Sequence, residues 1–173
     1  MILTGLPRSR TKWFSELFTA CGVKFKHEMI SECSTVNEYK SKLSESGDCN
    51  TGLCLIDPNA TIDCKVVVID SDEKRIVSCI NWAHKTYGGD IAEVGRHVRA
   101  MAEINRDIKG MHVSFNDIDC RAGDIYKYLT GLTIDKCILQ AYNGMKIETK
   151  NFTFDKKKTR LLLDDVQRYK TTH

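Results

Sequence analysis

The sequence has no apolar run approaching the roughly 20 residues of a membrane span, so no membrane helix is expected. Its first residues lack the charged and long apolar regions of a signal peptide. The net charge is only +3, too small by itself to indicate nucleic-acid binding. With 173 residues, 42% of them hydrophobic, we expect a single domain over residues 1–173 with a full core.

Cysteine pairs at C-x-x-C spacing are also missing, although eight cysteines are spread from Cys21 to Cys137. In the absence of a signal peptide, we expect reduced thiols and a cytoplasmic protein. A zinc site formed by Cys49, Cys54 and Cys64 with a distant histidine is the alternative. Buried or incidental cysteines are the preferred interpretation, so no metal is expected.

Apolar runs alternate with helical patterns along the chain, which is typical of an α/β fold. The predicted strands are residues 1–4, 23–27, 53–56, 65–70 and 111–115, and the predicted helices are residues 11–21, 35–44, 72–87, 91–109, 122–129 and 135–141. The β-branched, apolar run within residues 65–70 indicates a central strand of a mainly parallel sheet of about five strands. Residues 44–51, rich in serine, glycine and asparagine, are predicted to form a loop or lid.

A cation-rich turn separates the first predicted strand from the first predicted helix. Residues 4–13 read T-G-L-P-R-S-R-T-K-W and place Arg8, Arg10 and Lys12 on one short loop. The N–H groups of such a turn and helix start are unpaired, and the helix dipole adds partial positive charge. We predict that this turn binds a densely negative group such as a phosphate.

The turn differs from the loop that binds ATP with magnesium. That motif, G-x-x-x-x-G-K-[ST], requires glycine, lysine and a hydroxyl residue at positions 10 to 12, where this chain has Arg10, Thr11 and Lys12. The magnesium-binding hydroxyl is missing and the lysine is displaced by one position. A nucleotide kinase is therefore the less favoured interpretation.

The same turn resembles the 5′-phosphosulfate loop of sulfotransferases, which reads P-K-S-G-T-T-W. Pro7, Ser9, Thr11 and Trp13 match that loop, with Arg8 in place of its lysine. It looks closest to the short sulfotransferase-like proteins of phages and bacteria, whose loop often reads G-x-P-R-S-x-T-x-W. Residues 66–78 and 113–132 are similar to two further regions of the family. The resemblance implies a P-loop-type three-layer α/β/α sandwich.

The resemblance also implies an activity, the transfer of a sulfuryl group from 3′-phosphoadenosine-5′-phosphosulfate (PAPS) to a small acceptor. Arg8 would stabilise charge on the oxygen that bridges phosphate and sulfate, as a fixed cation and not as an acid. Trp13 would offer its ring to the adenine, the alternative being a core residue of the first helix. The alternative for Arg10 and Lys12 is that one of them is a solvent-exposed residue at the start of the helix and does not bind the cofactor. The implied cofactor-binding residues are Arg8, Ser9, Arg10, Thr11, Lys12, Trp13 and Ser78.

An acceptor hydroxyl or amine needs a base, and His27 and Glu28 follow the second predicted strand, where short family members often carry His-Glu. Ligands of open parallel sheets bind at the carboxyl ends of the strands, which is where this pair and the turn should lie. Because neighbouring residues of an extended chain face opposite ways, only one should reach the substrate. Glu28 is the preferred base, with His27 orienting or binding. The alternative is a strand-end histidine beside a surface glutamate.

One position departs from the family pattern. Family members have an arginine at the end of the strand within residues 66–78 and a serine eight residues later, and both contact the 3′-phosphate of the cofactor. Ser78 fits the serine, but Asp70 stands where the cation should be. Arg75 is a candidate substitute, and so are the late basic residues Lys150, Lys156, Lys157, Lys158 and Arg160. Asp70 favours the alternative function, a protein of the same fold that binds a nucleotide or another phosphorylated molecule without turnover.

Overall fold

The computed structural model describes residues 1–56, 62–143 and 145, so the late basic residues from Lys150 to Arg160 lie outside it. Its five strands are β1 (Ile2–Gly5), β2 (Phe25–His27), β3 (Gly47–Asn50), β4 (Val66–Asp70) and β5 (Met111–Ser114). The helices within these residues are α1 (Thr11–Ala20), α2 (Val36–Leu43), α3 (Leu53–Ile56), α4 (Glu73–Tyr87), α5 (Ile91–Asp107), α6 (Ile118–Thr130) and α7 (Lys136–Asn143). Short 3₁₀ turns at Met29–Glu32 and Phe115–Asp117 follow β2 and β5.

The five strands form one parallel sheet in the order β2-β3-β1-β4-β5. β1 is central, with Leu3 opposite Cys49 of β3 and Val67 of β4. Since the strands are parallel, their carboxyl ends lie along one edge of the sheet. The predicted α/β class is confirmed, and β4 is the buried strand expected from its β-branched run.

Helices cover both faces of the sheet, which gives three layers. Side chains alternate between the faces along each strand, so Leu3 and Val67 pack towards α1, α6 and α7, whereas Ile2 and Val66 pack towards the Met29–Glu32 turn and α2. β1 is followed by α1 on the first face, and its neighbour β4 is followed by α4 and α5, which form a separate apolar cluster with Leu6. Connections that leave adjacent strands towards opposite faces open a crevice at the carboxyl end of β1.

Two predicted segments are wrong. Residues 53–56, predicted as a strand, form α3, because four apolar residues in a row fit a buried helical turn as well as a strand. Residues 44–51, predicted as a loop or lid, contain β3, which is inserted between β1 and β2.

The polar composition of β3 is compatible with a buried strand for two reasons. Gly47 leaves space for a ring, since a Cβ there would lie 2.4 Å from Cε1 of Phe25. Asp48 and Asn50 are 0% exposed, but their polar atoms are hydrogen-bonded, and a paired polar side chain is tolerated in a core. A pattern based on hydrophobicity cannot recognise such a strand.

Candidate functional site

The turn between β1 and α1 has an unusual backbone. Arg8 and Arg10 have φ angles of 74° and 61°, in the left-handed region that residues other than glycine rarely adopt. Ser9 lies between them, 1% exposed, and its N–H donates to the Leu6 carbonyl at 3.0 Å. Left-handed residues in such alternation point successive N–H groups into a concave nest that suits an anion.

The start of α1 adds to this nest. Arg10 is the N-cap residue and makes no side-chain capping hydrogen bond, as expected of a side chain that has no acceptor atom. The N-cap side chain therefore satisfies none of the first N–H groups of α1, which carry the positive end of the helix dipole. Gly5 lets the turn approach β4, because a Cβ there would lie 3.1 Å from the Ile69 carbonyl oxygen.

Four cations surround the turn. Arg8 and Arg10 are exposed, and Arg10 forms an ion pair with Asp119 at the start of α6. Lys12 is half-buried and pairs with Glu16 at 3.8 Å. Arg10 and Lys12 thus each have an acidic neighbour on a helix.

Arg75 on α4 is the fourth cation and contacts the turn directly. Its Nη2 donates to the Arg8 carbonyl at 2.6 Å, and its guanidinium lies 3.6 Å from the centroid of the Phe115 ring. Burial lowers the pKa of Arg75, and the charges of Arg8 and Arg10 lower it further. The positive charges of Arg8 and Arg10 are therefore close enough to act on Arg75, which favours an anion near the turn.

His27 and Glu28 lie beside the turn. The Nε2 atom of His27 is 3.2 Å from the Thr11 hydroxyl and 3.8 Å from Oε1 of Glu28. Burial lowers the pKa of His27 to about 4, and the charge of Lys12 lowers it further, so His27 is neutral at pH 7. The two side chains do not face opposite ways as an extended chain would place them, because Glu28 has a φ of 58°, which ends the strand.

Glu28 is a buried carboxyl group, 9% exposed, rather than a surface glutamate. Its Oε1 accepts a hydrogen bond from the Thr51 hydroxyl at 2.9 Å. Burial raises the pKa of Glu28 to about 7, although the hydrogen bonds from Thr51 oppose the rise. A carboxyl group with this pKa is suited to accept a proton near neutral pH.

Trp13 and Ser78 lie apart from this cluster. Trp13 is 6% exposed in the core beneath α1, and its Nε1 donates to the Tyr142 carbonyl at 3.0 Å. Ser78 is exposed on α4, three residues after Arg75. The structure thus brings Thr11, His27 and Glu28 together next to the turn that carries Arg8, with Trp13 packed in the core beneath α1.

Asp70 does not point an unpaired charge at the turn. Its Oδ1 is 2.9 Å from Nδ1 of His112, whose Nε2 is 2.8 Å from the Ile108 carbonyl oxygen. Burial lowers the pKa of His112, but the hydrogen bonds to Asp70 and Ile108 outweigh it and raise the pKa overall. A protonated His112 offsets the charge of Asp70.

Sequence reasoning missed the partners that come from distant elements, namely the polar side chains of Asp48, Thr51 and Asp119 and the aromatic ring of Phe115. Thr51 and Asp48 were assigned to a loop, and Phe115 and Asp119 lie about forty residues or more from the residues they contact. The only available signal was the alternation of Asp48 and Asn50, which occupies too few residues to identify a strand.

A shallow cavity of about 330 Å³ lies along α1, lined by Ser15, Glu16, Thr19, Ala20, Phe25 and Tyr142, and includes none of the predicted site residues. Among the described residues, no three or more His, Cys, Asp or Glu side chains are grouped to hold a metal ion. Residues 1–56, 62–143 and 145 include no helix with the length and apolar character to cross a membrane.

Comparison of the chain with protein-family models, with curated proteins and with solved structures found no match. The functional interpretation therefore depends on the geometry of the turn and of the Glu28 cluster.

Proposed function

We propose that this chain is a sulfotransferase-like enzyme of P-loop type, which moves a sulfuryl group from PAPS to a hydroxyl or amine of a small acceptor. One observation carries the proposal: the anion-binding turn and a carboxyl group with a pKa near 7 lie next to each other. Thr11 links the two, because its hydroxyl is 3.2 Å from His27, which is 3.8 Å from Glu28.

The turn supplies the groups that the donor side of such a reaction needs. The N–H groups of Arg10, Thr11 and Lys12 at the start of α1 suit the 5′-phosphate. Arg8 is an exposed residue of the turn, and a fixed cation there would stabilise the negative charge that develops on the bridging oxygen. Arg75 provides a further cation beside the turn, which supports binding despite Asp70, itself paired with His112.

The Glu28 cluster supplies the base. Glu28 accepts the proton of the acceptor hydroxyl, whose oxygen forms a bond to sulfur while the bond from sulfur to the bridging oxygen breaks. The electron pair of the broken bond stays on that oxygen, beside Arg8. His27 is neutral and therefore orients the acceptor or the Thr11 hydroxyl rather than supplying charge.

A second candidate function is a protein of the same fold that holds a nucleotide or another phosphorylated molecule without turnover. The burial of Trp13 favours a phosphorylated ligand without adenine in this candidate, because the indole ring is packed in the core instead of lying open to an adenine. The two functions differ in whether Glu28 has a part in chemistry.

Calorimetric titration with adenosine 3′,5′-bisphosphate in metal-free buffer tests the binding site. We expect micromolar binding, about −8 kcal/mol, and a loss of tenfold or more in Arg8→Ala, since hydrogen bonds to charged groups contribute about 1.5–3 kcal/mol. Arg99→Ala is the matched control, because Arg99 is exposed and paired with Glu73. Unchanged affinity in Arg8→Ala would exclude the turn as the site, and binding that needs magnesium would favour a kinase.

Turnover is tested by the release of sulfate or sulfated acceptor from PAPS. Transfer that is lost in Glu28→Gln while bisphosphate binding is retained would support the enzyme. Tight binding without any release, to water or to a panel of phenols, alcohols and amines, would support the non-catalytic alternative.

A further inference from the structure

Strand β3, next to the central strand β1, contains two fully buried polar side chains that the proposed function does not use. Asp48 and Asn50 alternate along β3 and so point to the same face, and both are 0% exposed. A buried carboxylate is unfavourable unless hydrogen bonds replace its water. Their partners therefore indicate what these residues are for.

Asp48 accepts four hydrogen bonds. Its Oδ1 accepts from the backbone N–H of Met29 at 3.0 Å, and its Oδ2 accepts from the N–H of Ile30 at 3.3 Å. Oδ2 also accepts from the Tyr39 hydroxyl and from Nδ2 of Asn50, both at 2.9 Å. Half of these bonds thus go to the two residues that directly follow the candidate base.

These bonds fix the backbone of Glu28. Glu28 has a left-handed φ of 58° and begins the Met29–Glu32 turn, so its conformation is unfavourable unless its neighbours hold it. Its own N–H donates to the Cys49 carbonyl at 3.0 Å, and the next two N–H groups donate to Asp48. β3 therefore holds Glu28 from both sides.

Asn50 shapes the turn that carries Thr51, the residue whose hydroxyl binds the carboxyl group of Glu28. Its Oδ1 accepts from the N–H groups of Gly52 at 3.1 Å and Leu53 at 3.0 Å, which closes the turn after β3. That turn carries Thr51, whose hydroxyl donates to Oε1 of Glu28 at 2.9 Å.

We propose that Asp48 is a positioning residue for Glu28, which holds the backbone that aims the Glu28 carboxyl group at Thr51 and His27 and places a second negative charge near it. This inference rests on the proposed function. An apolar residue at position 48 would fill the core, but it would neither hold the two N–H groups nor disfavour an ionised Glu28. The charge of Asp48 accordingly adds to the effect of burial in raising the pKa of Glu28. The other titratable groups that face Glu28 are His27 on β2, Cys49 on β3, Cys54 on α3 and Tyr87 on α4.

The test is the titration of Glu28 in Asp48→Asn, followed by carbon NMR of carboxyl-labelled glutamate, with Glu28→Gln to assign the signal. We expect the pKa to fall below its wild-type value of about 7, because the variant loses the negative charge that adds to the effect of burial. Thr4→Val is the matched control: Thr4 is equally buried and donates to Asn50 at 3.2 Å without touching the residues after Glu28. An unchanged titration in folded Asp48→Asn, or an equal fall in Thr4→Val, would overturn the proposal.

If Asp48→Asn does not fold, the wild-type protein decides the question. The labelled Glu28 signal should then show, beside its own titration, a second and smaller step when Asp48 ionises. A single step for Glu28 would contradict the proposal. Bisphosphate binding is measured on the same sample. Its absence would overturn the proposed function, whereas the titration alone decides the role of Asp48.

Discussion

Replacing Glu28 with glutamine should stabilise the protein at alkaline pH and leave it nearly unchanged at acidic pH. Burial raises the pKa of Glu28 from 4.5 to about 7, against the hydrogen bonds from Thr51. Between these two values the folded chain keeps a proton that the unfolded chain has released, so the wild-type stability falls as the pH rises through this window. Glutamine has a similar shape and no proton to lose, so the variant does not share this fall.

The expected gain follows from the size of the pKa difference. A difference of one in pKa is worth about 1.4 kcal/mol, so the rise from 4.5 to about 7 corresponds to about 3 kcal/mol well above pH 7. The oxygen of glutamine still accepts from Thr51, so the variant keeps that hydrogen bond. For a chain of this size, we expect a Tm about 6–12 °C higher than the wild-type value at alkaline pH.

The measurement is urea unfolding of both proteins at about pH 5 and about pH 8.5, where the difference between them isolates Glu28 from other titrating groups. Glu38→Gln is the control with the opposite sign. Hydrogen bonds from the Ser34 N–H and from Lys42 lower the pKa of Glu38. Replacing the Glu38 carboxylate with an amide should therefore make the protein less stable than wild type at alkaline pH. A Glu28→Gln variant that is less stable than wild type at alkaline pH, or whose effect is the same at both pH values, would refute the assignment of Glu28 as a buried carboxyl group with a raised pKa.

Two further predictions concern the turn and the sheet. Arg75→Lys keeps the charge but loses the planar group that donates to the Arg8 carbonyl and stacks on Phe115. Bisphosphate affinity should therefore fall about tenfold. Equal affinity in calorimetry would show that Arg75 does not shape the turn. Gly47→Ala should lower the free energy of unfolding in urea by about 1–3 kcal/mol, because its Cβ would lie 2.4 Å from the buried Phe25 ring. Gly95→Ala is the control, since its added Cβ meets ordinary contacts and improves helix propensity. A loss of stability in Gly95→Ala as large as in Gly47→Ala would contradict the steric explanation.

Local sequence patterns predicted most of the architecture. The β-branched run of β4 and the helical spacing of apolar residues in α5 depend only on neighbours along the chain, and both elements form where they were expected. Thr35, Asp72 and Asp90 cap α2, α4 and α5 by accepting from the N–H three residues on, which is also a local effect. The turn of residues 5 to 12 was recognised because its charges lie next to one another in the sequence.

β3 could not be predicted in this way. Its residues are polar or small, and the sheet accepts them only because Phe25 fills the space beside Gly47 and because the N–H groups of Met29 and Ile30 reach Asp48. Those partners lie about twenty residues away along the chain. The insertion of β3 between β1 and β2 therefore depends on complementary partners, not on propensity.

The sequence by itself determined the α/β class, the cation-rich turn after the first strand and the presence of His27 and Glu28 at the end of the second. Only the tertiary structure decided that Glu28 is buried with a pKa of about 7, that His27 is neutral and that His27 lies between Thr11 and Glu28. The physical reason is that hydrophobic spacing and charge are properties of adjacent residues. Desolvation and hydrogen bonding, which set these pKa values, arise from side chains that folding brings together.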